Sequence, residues 1–239
     1  MVFLGAPYFL LLFGRCGSIE IGLFDNSPPN PKLHHVCLQV AREHFYCVSN
    51  VQKSIRSIAV QVRWIRPPID WFKLNSDGAS IGNHGKAGGG GLIRDHQGKW
   101  IKGYMRHIGI ASSVIAELWA LKDGLWLASQ LGISQILVEL DAKIVVDLMQ
   151  SNKTSTNSFS SLLNDCRYLL RQFHQARIKH IFREANRGAD YLAKGGCTFA
   201  RTFVVLDFPY SEELCNILNL DASGLYSLRL TANTSPFYG

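Results

Sequence analysis

Apolar and polar residues along this chain switch between a period of two and a period near 3.6, and the switches lay out an α/β sequence of elements. In Phe72-Lys73-Leu74-Asn75-Ser76-Asp77-Gly78-Ala79-Ser80, the residues Phe72, Leu74 and Ser76 fall on one face and Lys73, Asn75 and Asp77 on the other. That is the pattern of a strand, and it delivers a carboxylate to the strand's end just before a glycine. Arg66-Pro67-Pro68 fixes an extended approach to it. Residues 85–91 are rich in glycine and run into Leu92-Ile93-Arg94. A turn over 95–98 then precedes a second apolar run at Trp100-Ile101, which predicts a hairpin whose first strand is narrow enough for close backbone packing. These three strands form an antiparallel meander. Ser112 and Ser113 open a helix that runs to Gly132, with Ile115, Leu118, Leu121, Leu125, Ala128 and Leu131 as its apolar stripe. Residues 135–140 form a nearly continuous apolar run, the mark of a strand covered on both faces, and it ends in Asp141. A helix through about residue 149, another over 162–173, a strand over 177–182 and a last helix over 183–194 complete the pattern.

This order predicts a mixed sheet flanked by helices, and such sheets gather ligands at the carboxyl ends of their strands. Asp77 and Asp141 lie at two of those ends, while Glu117 and Asp190 ride on helices that can bring them to the same edge. Four carboxylates packed together repel one another strongly unless cations sit between them, and oxygen ligands of this kind suit magnesium or manganese. Each acid also has a plainer reading. Asp77-Gly78 is compatible with a simple turn, Asp141 with a helix N-cap, and Glu117 with a side chain that reaches solvent or pairs with Lys122. Gly88 to Gly91 is not a phosphate-binding loop, because no Gly-Lys-Ser/Thr follows it. Trp119 and Trp126, seven residues apart, read as packing residues in preference to a base-stacking platform.

The charge sharpens this picture. The chain carries a formal +7, and residues 61–200 hold 18 of its 25 Lys and Arg against 11 of its 18 Asp and Glu. A basic central segment around an acidic cluster points to a polyanionic partner, nucleic acid first. The six cysteines, at 16, 37, 47, 166, 197 and 215, form no Cys-x-x-Cys pair, which argues against a zinc site or a disulfide framework and for a reducing compartment. Residues 2–13 are apolar but too short to span a bilayer, and neither their flanks nor the following residues suit a cleaved signal. The expectation is an intracellular protein, nuclear or cytoplasmic, without membrane insertion. Three prolines within residues 26–31 mark a linker, and 38–58 are loosely helical. The chain thus divides into an extension at 1–60, a domain at 61–200 and a tail at 201–239.

Taken together, five stretches resemble the type 1 ribonuclease H domain, in its plant retroelement-like branch. They are Lys73-Leu74-Asn75-Ser76-Asp77-Gly78-Ala79, Gly90-Gly91-Leu92-Ile93-Arg94-Asp95, Ala116-Glu117-Leu118-Trp119-Ala120-Leu121, Val138-Glu139-Leu140-Asp141, and the segment from Arg183 to Ala193. They occur in order, and the resemblance covers about residues 64–194. The resemblance implies a ribonuclease H-like fold with a five-stranded mixed sheet, acting as a monomer that cleaves the RNA strand of RNA/DNA hybrids. It implies Asp77, Glu117, Asp141 and Asp190 as catalytic ligands of two Mg2+ ions, with Mn2+ as a substitute. Asp77 would bridge both ions and Asp190 would lie nearer the attacking water. Gly78, Ala79, Ser112, Ser113, Arg183, Asn186 and Arg187 would contact nucleic acid. Two family features are missing: a His in the loop before the last helix, where this chain offers Arg183, and a basic protrusion after Asp141. A catalytically weak or inactive binding module derived from a retroelement is the alternative.

Overall fold

The structure is a computed structural model that describes residues 57–82, 84–151 and 158–232, together with Val2–Phe3 and Phe9–Leu10, which pair as a short antiparallel ribbon. The chain separates into two compact units, Met1–Arg56 and Ser57–Gly239. The proline-rich linker at 26–31 lies outside the described residues, as does the helical pattern expected over 38–58 apart from its last two positions, which open a strand.

Within the second unit the strands are β1 (Ser57–Val62), β2 (Phe72–Ile81), β3 (Gly85–Arg94) and β4 (Trp100–Ala111). Helix α1 (Ser113–Gln130) leads to β5 (Gln135–Leu140), then to α2 (Lys143–Gln150) and α3 (Ser160–Leu170). Strand β6 (Gln175–His180), a 3-10 turn at Arg183–Ala185 and α4 (Arg187–Thr198) follow. Last come β7 (Phe203–Leu206), α5 (Glu212–Ala222) and β8 (Ser227–Ala232). The main sheet has the order β6-β5-β2-β3-β4-β7. Its β2-β3-β4 portion is the expected antiparallel meander, and β5 and β6 extend it in parallel with β2.

Local chemistry explains several boundaries. Ser112 caps α1 by accepting the Ile115 N–H at 3.5 Å, and Gly132, at φ +67°, takes the left-handed turn just past the helix end. The β3–β4 hairpin closes over Asp95, whose Oδ1 accepts the N–H groups of Gln97 and Lys99, each at 2.9 Å, with Gly98 at φ +85°. The main core lies between the sheet and α1, α2 and α3, where Leu74, Leu118, Leu121, Leu125, Ile136, Val138 and Leu163 are completely buried. Each of these contributes roughly 1.5–3 kcal/mol by burial. A smaller cluster of Leu92, Met105, Ala189, Leu192 and Leu214 seats α4 and α5 on the other face.

Two helices approach β3 from opposite sides because its Gly88–Gly91 run carries no side chains. A Cβ at Gly88 or Gly90 would run into the α4 backbone at Cys197 and Ala193, and one at Gly89 would press on the Ala120 Cβ of α1 at 3.1 Å. This is the close packing that the glycine run predicts.

Two expectations are revised. The sheet has a sixth strand, because the apolar Phe203–Leu206 run pairs antiparallel with the open edge of β4. Residues 203–232, placed in a tail by the sequence pattern, supply β7, α5 and β8, and β8 pairs with β1. They are anchored by charge as well as by apolar contact. Arg94, which is 2% exposed, donates to Asp221 at 2.9 Å and to Asn75 at 2.9 Å, and its guanidinium lies 3.7 Å from the Trp64 ring centroid. Glu139 is equally enclosed and receives Lys73 at 2.7 Å, Lys179 at 2.9 Å and Asn75 at 3.2 Å. The polar face of β2 is thus a paired, buried layer, as an enclosed charge requires. Among the described residues no helix is long and apolar enough to cross a membrane.

Candidate metal centre

Parallel pairing of β2 with β5 sets Asp77 beside the end of β5, where Asp141 follows directly. Helix α1 crosses the same edge and brings Glu117 in from its second turn. One carboxylate oxygen from each of Asp77, Glu117 and Asp141 lies within 4.8 Å of the others. Asp77 is 5% and Glu117 8% exposed, while Asp141 is half-buried.

Gly78 makes this approach possible. Its absent Cβ would fall on the backbone of Ala116 and Glu117, so only glycine lets α1 sit this close to β2. Its N–H also bonds to the Glu117 carboxylate. The reason for glycine here is helix packing.

Burial and like charge work together on the acids. Desolvation raises the Asp77 carboxyl well above the usual carboxylate range, and the charges of Asp141 and Asp190 push it further. Glu117 is raised well above that range by burial first and by Asp77 and Asp141 next. Its Oε2 is buried without a hydrogen-bond partner. An all-oxygen cluster with an unpartnered buried carboxylate oxygen fits a hard divalent cation such as Mg2+ or Mn2+. The plainer readings of these residues fail. Lys122 bonds Asp165 at 2.7 Å and leaves Glu117 alone, and the N-cap position of α2 is Ala142, with no side-chain cap, so Asp141 is not one.

Asp190 stands at the first turn of α4, outside the three-acid cluster, with Arg183 on one oxygen and Lys194 at 2.7 Å on the other. Of the residues predicted to touch nucleic acid, Gly78 and Ala79 are half-buried beside the cluster, and Arg183 is exposed. Ser112 is buried, with its hydroxyl committed to capping α1, while Ser113 is half-exposed next to it. Arg187 points back to Asp221 at 3.4 Å. Asn186 is only 1% exposed, and its amide donates to the Ser76 carbonyl at 3.0 Å and to Asp141 Oδ1 at 3.2 Å. These bonds turn it inward, a role that its place among arginines hides in the sequence. The Asp190–Lys194 pair, by contrast, is legible as an i,i+4 spacing.

The reverse transcriptase-like family matches residues 75–196, a span that begins just before Asp77 and ends just after Lys194. The chain belongs to this ribonuclease H-like family. An Arabidopsis thaliana relative, whose name provisionally assigns it to ribonuclease H, is 31% identical over 215 residues, 88% of this chain. This ribonuclease H-like chain spans 34% of that relative's length. Among solved structures, the N-terminal ribonuclease H domain of Mycobacterium tuberculosis Rv2228c aligns at 28% identity and a TM-score of 0.51, covering 53% of this chain and 93% of that one. Ribonuclease H1 of Halobacterium salinarum aligns at 29% identity and a TM-score of 0.50, covering 53% and 96%.

Proposed function

We propose that this chain is a metal-dependent endonuclease that hydrolyses the RNA strand of RNA/DNA hybrids. The observation that carries the reading is the convergence of Asp77, Glu117 and Asp141, two of them buried, with an unpartnered oxygen on Glu117. Two Mg2+ ions, when bound, would supply activation of a water and stabilisation of the departing 3′-oxygen. The acids' part is to hold positive charge at the scissile phosphate, with Asp77 central and Glu117 and Asp141 beside it. Water adds to phosphorus as the P–O3′ bond breaks, leaving a 5′-phosphate and a 3′-hydroxyl. Asp190, at the half-buried rim with Arg183 and Lys194, would lie nearer the attacking water. Exposed Arg183 and half-exposed Ser113, with the backbone of Gly78 and Ala79, lie where strand phosphates would pass. Recognition would read A-form shape and 2′-hydroxyls, not base sequence.

The test is a gel assay with end-labelled RNA/DNA duplex, RNA duplex and DNA duplex in Mg2+, alongside Asp77→Asn. Cleavage confined to the RNA of the hybrid, reduced by several orders of magnitude in Asp77→Asn while low-salt binding persists, is expected. Equal cleavage by Asp77→Asn would refute the metal assignment. One observation favours a second reading, a binding module without turnover: Arg183 and Lys194 already neutralise Asp190. Hybrid binding by the parent chain without cleavage would select it.

A further inference from the structure

Asn186 is buried beside the acids, yet nothing in its type requires it there, since a buried amide must find partners for both its ends. Its Nδ2 faces two acceptors, the Ser76 carbonyl at 3.0 Å and Asp141 Oδ1 at 3.2 Å. Neither acceptor is a donor, so the amide orientation is forced: a flipped carboxamide would set oxygen against oxygen twice. The main chain of Asn186 makes a third link, because its carbonyl accepts the Asp190 N–H at 3.0 Å. One residue therefore touches the strand position just before Asp77, the carboxylate of Asp141 and the helical turn that carries Asp190. Its Oδ1, buried and without a hydrogen-bond partner, adds no compensating bond. Such a side chain is retained at some cost in stability, which its two side-chain links, to the Ser76 carbonyl beside Asp77 and to the Asp141 carboxylate, account for.

We infer that Asn186 is a positioning residue for the metal ligands: it gauges the distance between β2, the end of β5 and α4. By holding Oδ1 of Asp141, it fixes the carboxylate that meets Asp77 and Glu117. This rests on the metal-site reading above and assigns to Asn186 a role different from contact with nucleic acid. A group bonded to a ligand in this way typically changes metal affinity about 10- to 100-fold when removed.

The experiment is Mn2+ titration of the full chain by calorimetry, with the Mn2+ concentration needed for half-maximal hybrid cleavage as a second measure. The proteins are the parent, Asn186→Ala, Asp141→Asn and the double variant. In Asn186→Ala, Mn2+ affinity should fall by about tenfold, and saturating Mn2+ should bring cleavage back toward the parent rate. In the Asp141→Asn background the same substitution should change affinity less than about twofold, because its effect acts through Asp141. Should Asn186→Ala not melt cooperatively, Asn186→Ser, which keeps a hydroxyl donor, serves in its place, with a smaller loss expected. Parent-like Mn2+ affinity in the folded variant, or an undiminished tenfold loss in the Asp141→Asn background, would overturn the inference and leave the metal site standing. A parent chain that binds no Mn2+ would overturn both.

Discussion

Replacing Asp77 by asparagine should make the metal-free protein more stable while it disables the chemistry. One oxygen each of Asp77, Glu117 and Asp141 lies within 4.8 Å of the others, and two like charges at that distance repel by about 3 kcal/mol at an effective dielectric of about 20. The side chain of Asp77 enters two such pairs. Proton uptake already relieves part of this, since burial and neighbouring charge raise both Asp77 and Glu117 well above their ordinary range. In the folded chain these groups keep protons that the unfolded chain has released, so stability falls as pH rises from about 4 toward the raised values. The Asp77→Asn substitution would remove the charge, keep the volume and offer an N–H to Asp141. The expected gain at pH 7 in EDTA is about 2 kcal/mol, or roughly 4–8 °C in melting temperature for a domain of this size. At about pH 4, where Asp77 and Glu117 keep their protons in the folded chain and the unfolded chain is regaining its own, the gain should largely disappear. Scanning calorimetry of parent and variant at about pH 7 and about pH 4 in EDTA measures both numbers. A variant that melts at or below the parent near neutral pH, or that gains equally in acid, would refute the repulsion on which the metal site is argued.

Other substitutions probe different joints. Gly78→Ala places a Cβ on the backbone of Glu117, so α1 must back away from β2. Hybrid cleavage should then drop at least about 100-fold, and a rate within about twofold of the parent would contradict the packing argument. Asp221→Ala leaves Arg94 buried without its carboxylate and should cost about 3–5 kcal/mol in urea unfolding. A loss under about 1 kcal/mol would show that α5 lies outside the cooperative unit.

The elements that were legible in the sequence are those whose patterns answer to one neighbour. Strand β5 is bounded as its apolar run indicates, and α1 begins at its Ser cap and ends at its Gly. Three of the four acids could be grouped because strand ends and one helix face have fixed spatial meaning. What escaped depends on partners distant in sequence. Lys73 and Asn75 read only as one face of a strand, yet Glu139, 66 and 64 residues on, and Arg94 enclose them. Asp221 pairs with Arg94 across 127 residues, and that pairing turns a tail into part of the domain. Phe203–Leu206 is too short to announce a strand until the free edge of β4 is known. Asn186 was visible as a polar residue near a helix start, but its inward direction follows from where β2 and β5 lie.

Strand β3 bears on the acids although it contributes none of them. Glu117 and Asp190 belong to helices that rest on its two sides, with main chain and little else between them. In most layered proteins the gap between such helices reflects interlocking side chains, which can be traded for one another without disturbing the fold. Here it equals the thickness of a bare peptide ribbon. No compensating pair of substitutions can restore it once a methyl group is added at Gly88 or Gly90, and no change of rotamer can alter it. The spacing of two of the four acids is therefore a property of the backbone itself.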